Sequence, residues 1–172
     1  IALTAAAVML LIGHQDIEEV ITGVEWTTIL FFTGLFVVVG GLQETGIIQV
    51  LANGLMDLTK GHMTMTILLI LWVSAIVSSF LDNIPFVATL IPLILTMQSS
   101  GVDVTPLWWA VSLGACLGGN GTLIGASANV VLSGISTRHG FPITFASYLK
   151  VGFPMMLVSV AISTVFLLIR FG

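Results

Sequence analysis

The sequence predicts an all-α integral membrane protein, and three observations carry that reading. Of 172 residues, 57% are hydrophobic and 7% are charged, at a mean hydropathy of +1.16; soluble domains carry roughly 25% charged residues. The apolar residues fall into runs of the length that crosses a bilayer as helix, ~20 residues. Two of those runs are interrupted near their middle by acid, amide, glycine or proline, which in hydrocarbon marks a functional site rather than a packing accident.

Composition also excludes. Four Lys and Arg residues provide no footprint for a phosphate backbone, so nucleic acid is not a partner. Cys116 stands alone, so it makes neither an internal disulfide nor a thiolate metal site, and it reads as a small buried side chain. His14, His62 and His139 all lie in connections and join no metal-ligand cluster, which leaves an enzyme as the weakest reading. Neither a metal nor a cofactor is expected.

The first apolar run, residues 1–12, is too short to span. It lacks the basic start and small-residue cleavage site of a signal peptide. It is expected to be the tail of a helix that begins upstream, which makes the chain a fragment. Residues 13–25 hold Asp16, Glu18, Glu19 and Glu25 with no Lys or Arg, and read as a solvated connection. Residues 26–42 are the first complete span. Trp26 suits an interface, and Gly34, Gly40 and Gly41 permit close helix approach. Residues 47–59 place Ile47, Ile48, Leu51, Leu55 and Leu58 at helical spacing among polar residues, the pattern of an amphipathic interfacial helix.

Residues 63–98 are organised around Ser78-Ser79-Phe80-Leu81-Asp82-Asn83-Ile84-Pro85-Phe86. The run is too long for one crossing, so it predicts a re-entrant helical hairpin. Each arm has ~17 residues and a length of ~26 Å, with Asp82 and Asn83 at the tip inside the membrane. Pro85 is tolerated in a first turn, whose N–H groups have no helical partner. Asp82 or Asn83 can cap the second arm, so a purely structural role for the pair stays open.

Residues 107–136 form a second interrupted span, after an interface marked by Trp108 and Trp109. Its middle carries Gly118, Gly119, Asn120, Gly121, Thr122, Gly125, Ser127 and Asn129. The glycines weaken the helix, and the amides and hydroxyls offer ligands. Unwound backbone of this kind exposes carbonyls to cations and half-helix N-termini to anions. Gly114-xxx-Gly118 and Gly121-xxx-Gly125 can alternatively be packing contacts. A nucleotide loop is excluded: no Gly-Lys-Ser/Thr follows the glycines, and no acid occurs after Asp103. Residues 148–170 are the last span. Arg138 and Lys150 in the preceding connection favour a cytoplasmic position for it.

The hairpin stretch Phe80-Leu-Asp-Asn-Ile-Pro-Phe86 and the run Gly114-Ala-Cys-Leu-Gly-Gly-Asn-Gly-Thr-Leu-Ile-Gly-Ala-Ser-Ala-Asn-Val-Val131 together resemble the C-terminal half of the ion transporter superfamily. That superfamily includes arsenite permeases, NhaD-type sodium/proton antiporters and the pink-eyed dilution (P) protein family. The resemblance extends, less distinctively, over 25–46 and 148–170. It implies a fold of two inverted repeats related to the divalent-anion/sodium symporters. This chain would supply one repeat, with a re-entrant hairpin facing a broken transmembrane helix, and the N-terminal half of the same transporter would be its partner beside the lipid bilayer. Where those symporters carry Ser-Asn-Thr at the tip, this chain has Leu81-Asp82-Asn83. Where they carry Gly-Thr-Pro, it has Gly125-Ala126-Ser127. An acid at the tip repels a substrate carboxylate and suits a cation or proton.

The leading expectation is a secondary active ion transporter with Na+ or H+ as coupling ion, in a plasma (inner) membrane and multi-pass. Asp82 would be the titrating group. Asn83, Asn120, Thr122, Ser127 and Asn129 would be ion or substrate ligands, beside a flexible break at Gly118, Gly119, Gly121 and Gly125. An anion or arsenite permease on the same fold is the alternative, and a non-transporting membrane subunit is the alternative from another class. A homodimer is left open.

Overall fold

A computed structural model of the chain describes residues 1–13, 17–24 and 26–172. His14, Asp16 and Glu25, placed by sequence in the first connection, lie outside the described residues, as does the side chain of Glu19. The chain divides into two units, Ile1–Leu35 and Phe36–Gly172.

The first unit holds α1 (Ala2–Gly13), α2 (Ile17–Thr22) and the start of α3 (Trp26–Glu44). A short helix thus stands where the sequence suggested only a polar connection. Ile17, Val20 and Ile21 recur at helical spacing there, and Glu is a good helix former.

The second unit contains the rest of α3 and then α4 (Ile47–Thr59), α5 (Met63–Ser78), α6 (Asn83–Ser99), α7 (Thr105–Gly118), α8 (Ser127–Arg138) and α9 (Phe145–Phe171). The helices Ile29–Glu44 and Ile47–Thr59 meet at a bend of 68°. Gly46 sits at the bend with φ 75°, a conformation open to glycine. The apolar stripe of α4 covers the two helices that follow: Ile48 and Ala52 are buried in one core with Ile67, Ile70, Leu71, Leu93 and Ile94.

Helix α5 is the centre of this unit. Helix α7 lies against it on a face of small residues. A Cβ on Gly114 would come within 2.6 Å of the Leu71 carbonyl oxygen and 2.7 Å of Ser74 Cβ, and one on Gly118 would strike the Ala75 carbonyl. The two helices run in the same direction, since Gly114 meets Leu71 and Ser74 while Gly118 meets Ala75. The Gly114-xxx-Gly118 pair is therefore a packing contact. Cys116, expected to be buried, is exposed, because α7 turns Gly114, Ala115 and Gly118 towards α5 instead. Gly34, Gly40 and Gly41 would meet nothing within 4 Å among the described residues, so the close approach expected of them is not made there.

Helix α9 runs antiparallel to α5 and α7. Trp72 Nε1 donates to Thr164 Oγ1 at 3.1 Å, and Trp109 meets Phe166 edge to face at 6.3 Å. At the other end Gly121 packs against Met156 and Gly152 against the Asn120 carbonyl. With 27 residues and an 18-residue stretch of mean hydropathy 2.2, α9 is, among the described residues, the one helix long and apolar enough to cross a membrane unbroken. It starts in a capping box, in which Thr144 Oγ1 accepts from Ser147 N while Ser147 Oγ accepts from Thr144 N. Asp103 precedes α7, and its Oδ1 accepts from Thr105 N at 3.0 Å. That backbone bond holds its carboxyl below the ordinary Asp range.

The α5–α7 contact predicts a contrast between two glycines. Gly118→Val should lower the thermal unfolding temperature of the full-length protein in detergent, because an overpacked core contact costs about 1–3 kcal/mol or more. Gly40→Ala should leave it unchanged or slightly raised, as no atom lies in the way. Tryptophan fluorescence during heating would compare the two.

Candidate functional site

Both interrupted segments are interrupted where the sequence places the breaks. Helix α5 ends at Ser78 and α6 begins at Asn83, so 79–82 form the first break; α7 ends at Gly118 and α8 begins at Ser127, so 119–126 form the second. Helices α5 and α6 fold back on each other: Ile70 and Val73 share one crevice with Phe86, Leu90 and Leu93.

The two breaks lie against each other. Thr122, fully buried, donates its hydroxyl proton to the Ser79 carbonyl. Ser78 Oγ donates to the Ala115 carbonyl at 2.8 Å and also contacts Asn83 Oδ1. One hydroxyl has one proton, so these two acceptors share it. A Cβ on Gly119 would come 3.1 Å from both side-chain polar atoms of Asn83, and one on Gly121 would come 2.8 Å from Ser79 Cβ. Gly125 is where backbones converge: a Cβ there would come 2.8 Å from the carbonyl oxygens of both Ser79 and Gly119, and 3.2 Å from that of Ser78. Only a glycine lets carbonyls from both breaks approach one point so closely.

Asn129 closes the second break from inside. Its Nδ2 donates to the Gly119 carbonyl at 2.9 Å and to the Thr122 carbonyl at 3.2 Å. Both of its amide protons are thereby used, and Oδ1 is left as an acceptor. Among the described residues, no buried side-chain nitrogen or oxygen lacks a hydrogen-bond partner. The unwound backbone is thus held by side chains, as it must be where water is scarce.

The depth of this junction follows from α9. Gly121 meets Met156, near the middle of the 27-residue helix, with ~17 Å of helix on one side and ~22 Å on the other at 1.5 Å per residue.

The candidate residues from sequence divide accordingly. Asn83, Thr122 and Asn129 come together with Gly119, Gly121 and Gly125 at the junction. Asp82 does not join them: it is exposed, and its Oδ1 caps α6 by accepting from Ile84 N at 3.1 Å. Asn120 turns away, into a cavity of about 470 Å³ lined by Ser147, Tyr148, Gly152, Met155 and Ser159 of α9. Ser127 is exposed at the first turn of α8, whose preceding residue, Ala126, provides no side-chain cap. Ser78 and Ser79 join the junction although the sequence alone did not single them out as site residues. Their signal was present, in two hydroxyls ending an otherwise apolar helix, but only the fold shows that α7 and the second break are what they touch. Among the described residues no cluster of three His, Cys, Asp or Glu could hold a metal ion.

Comparison with known proteins adds relatives. A family model described as citrate transporter matches residues 1–114. An uncharacterized transporter of Mycobacterium bovis is 43% identical over 175 residues, covering 99% of this chain and 41% of that protein. The P protein of Homo sapiens is 42% identical over 175 residues, covering 97% of this chain and 21% of its own length. A 46 kDa membrane protein of Mycobacterium leprae is 38% identical over 174 residues, covering 99% and 41%. The chain thus spans well under half of the length of these relatives. No solved structure matches it.

The junction itself can be tested. Thr122→Val removes the hydroxyl and leaves the Ser79 carbonyl buried without its side-chain donor, which should destabilise the protein by about 1–3 kcal/mol. Thr122→Ser should keep most of that stability. Thermal unfolding of both variants in detergent is the measurement, and equal loss in the two would deny the hydroxyl its part.

Proposed function

The chain belongs to the citrate transporter family, whose members are transporters and not enzymes, and on that premise we propose that it forms the ion-handling part of a secondary active transporter. The transporter moves an inorganic ion by alternating access, coupled to Na+ or H+. It works as a multi-pass protein of the plasma (inner) membrane, together with an N-terminal half of the same protein related to this chain as an inverted repeat. A homodimer is compatible with this arrangement.

One observation carries the reading. Carbonyl oxygens from both breaks converge at Gly125, beside Asn83 and at mid-depth along α9. Neutral oxygens gathered in a dry setting favour a cation, and discontinuous helices at the midplane are where secondary transporters bind coupling ions. Asn83 and the free Oδ1 of Asn129 add side-chain ligands. Thr122 holds the geometry. Asp82, which caps α6 at the tip of the first break, is the acid that couples transport to the ion.

An anion pathway is the second reading, favoured by the first turn of α8. Its N–H groups have no side-chain cap at Ala126 and open towards the second break.

The experiment uses everted vesicles carrying the full-length protein, with a fluorescent pH probe, given sodium, then arsenite, citrate or chloride. Sodium-triggered alkalinisation is expected in wild type. Asp82→Asn should abolish it. Asn83→Ala should weaken apparent sodium affinity by ~10-fold or more, the scale of losing one contact to a charged group. No response to sodium in any protein, with flux on adding an anion, would overturn the cation reading and leave the α8 terminus as the site.

A further inference from the structure

We propose that the elbow between α4 and α5 holds the headgroup of an anionic phospholipid. The elbow, 60–62, carries a groove of about 370 Å³ lined by Leu58, Thr59, Lys60, His62, Met65 and Leu69. Its lining is divided by chemistry. Lys60 and His62 stand at one end, both exposed. Leu58 and Met65 are 69% and 61% exposed and form an apolar trough with Leu69. Thr59 at its floor is buried and engaged, accepting from Thr66 Oγ1 at 2.9 Å and donating to backbone carbonyls, so it offers nothing to neutralise a cation.

No acid lines the groove, and Lys60 forms no ion pair among the described residues, Asp57 lying one turn back on α4 outside the groove. It is the sole Lys or Arg before Arg138. It is also held at φ 52°, a left-handed conformation that a lysine seldom adopts, and Gly61 follows at φ 70°. The turn thereby brings an unpaired ammonium to the head of an apolar trough.

The elbow lies at a membrane surface. Helices α5 and α7 run in parallel, so the start of α5 is level with the start of α7, where Trp108 and Trp109 sit. Antiparallel α9 brings Arg170 to the same level, as the Trp109–Phe166 contact requires. Indoles and cations at one depth are the composition of a headgroup region. A glycerophospholipid there puts a phosphodiester against Lys60 and His62 and an acyl chain along Leu58, Met65 and Leu69. Its net negative charge complements the elbow, and a zwitterionic lipid matches it less well.

The test is thermal unfolding of the full-length protein in detergent, with phosphatidylglycerol or phosphatidylcholine added. Phosphatidylglycerol should raise the unfolding temperature by about 2–4 °C more than phosphatidylcholine. Lys60→Arg should keep that difference and Lys60→Asn should lose it, asparagine being a residue that tolerates a positive φ. Equal shifts from the two lipids in wild type, or a lipid difference that survives Lys60→Asn, would overturn the proposal. So would inorganic phosphate reproducing the shift, which would assign the elbow to a free anion. If Lys60→Asn does not fold, native mass spectrometry of wild type decides: preferential retention of phosphatidylglycerol supports the site, and equal retention of the two lipids removes it.

Discussion

The hydroxyl of Thr122 on the Ser79 carbonyl joins two pieces of backbone that have each left the helix. In a membrane that is the governing constraint. A helix satisfies its own amides and carbonyls, but a break does not, and hydrocarbon offers no replacement. Here the breaks at 79–82 and 119–126 are arranged so that side chains of the second break and of the first turn of α8 supply what both lack. Thr122 serves the Ser79 carbonyl, and Asn129 serves the carbonyls of Gly119 and Thr122. Separating the breaks would strand the Ser79 carbonyl, so the first break depends on the second.

The approach that allows this is set further down the helices. Gly114 and Gly118 let α7 touch the backbone of α5, and the same parallel course then carries the end of α7 to the end of α5. Ser78 links the helices just before they stop, through the Ala115 carbonyl. Gly125 continues the logic into the break. A methyl group there would hold off the carbonyls of Ser79 and Gly119. The glycines of this stretch therefore serve two purposes that their spacing alone does not separate: Gly114 and Gly118 pack α7 on α5, whereas Gly119, Gly121 and Gly125 make room at the junction for the Asn83 amide, for Ser79 Cβ and for the carbonyls of Ser79 and Gly119.

Much of the fold was legible in the sequence. Hydropathy placed α5, α6 and α9 within a few residues, because lipid and core both demand continuous apolar runs, and helical spacing of apolar residues placed α4. The breaks were legible because Asp82, Asn83 and the Gly-Asn stretch are out of place in such runs. The connection at 13–25 was less so: its acids masked a helical spacing of Ile17, Val20 and Ile21 that supports α2. The exposure of Cys116 was hidden as well, since it depends on which face of α7 meets α5.

The candidate site shows the same division. Residue types alone determined that two apolar segments are each interrupted by polar groups, because amides and an acid in an apolar run call for a polar partner or cavity. Which of those groups meet was decided only by the tertiary structure. Asn83, Thr122 and Asn129 share the junction, Asn120 faces α9 and Asp82 caps α6. The physical reason is that a break has no fixed periodicity. Inside a helix, spacing tells which side chains share a face. Outside it, direction is set by the contacts the backbone must find, and here those contacts come from a segment some forty residues away, as Thr122 and Ser79 illustrate.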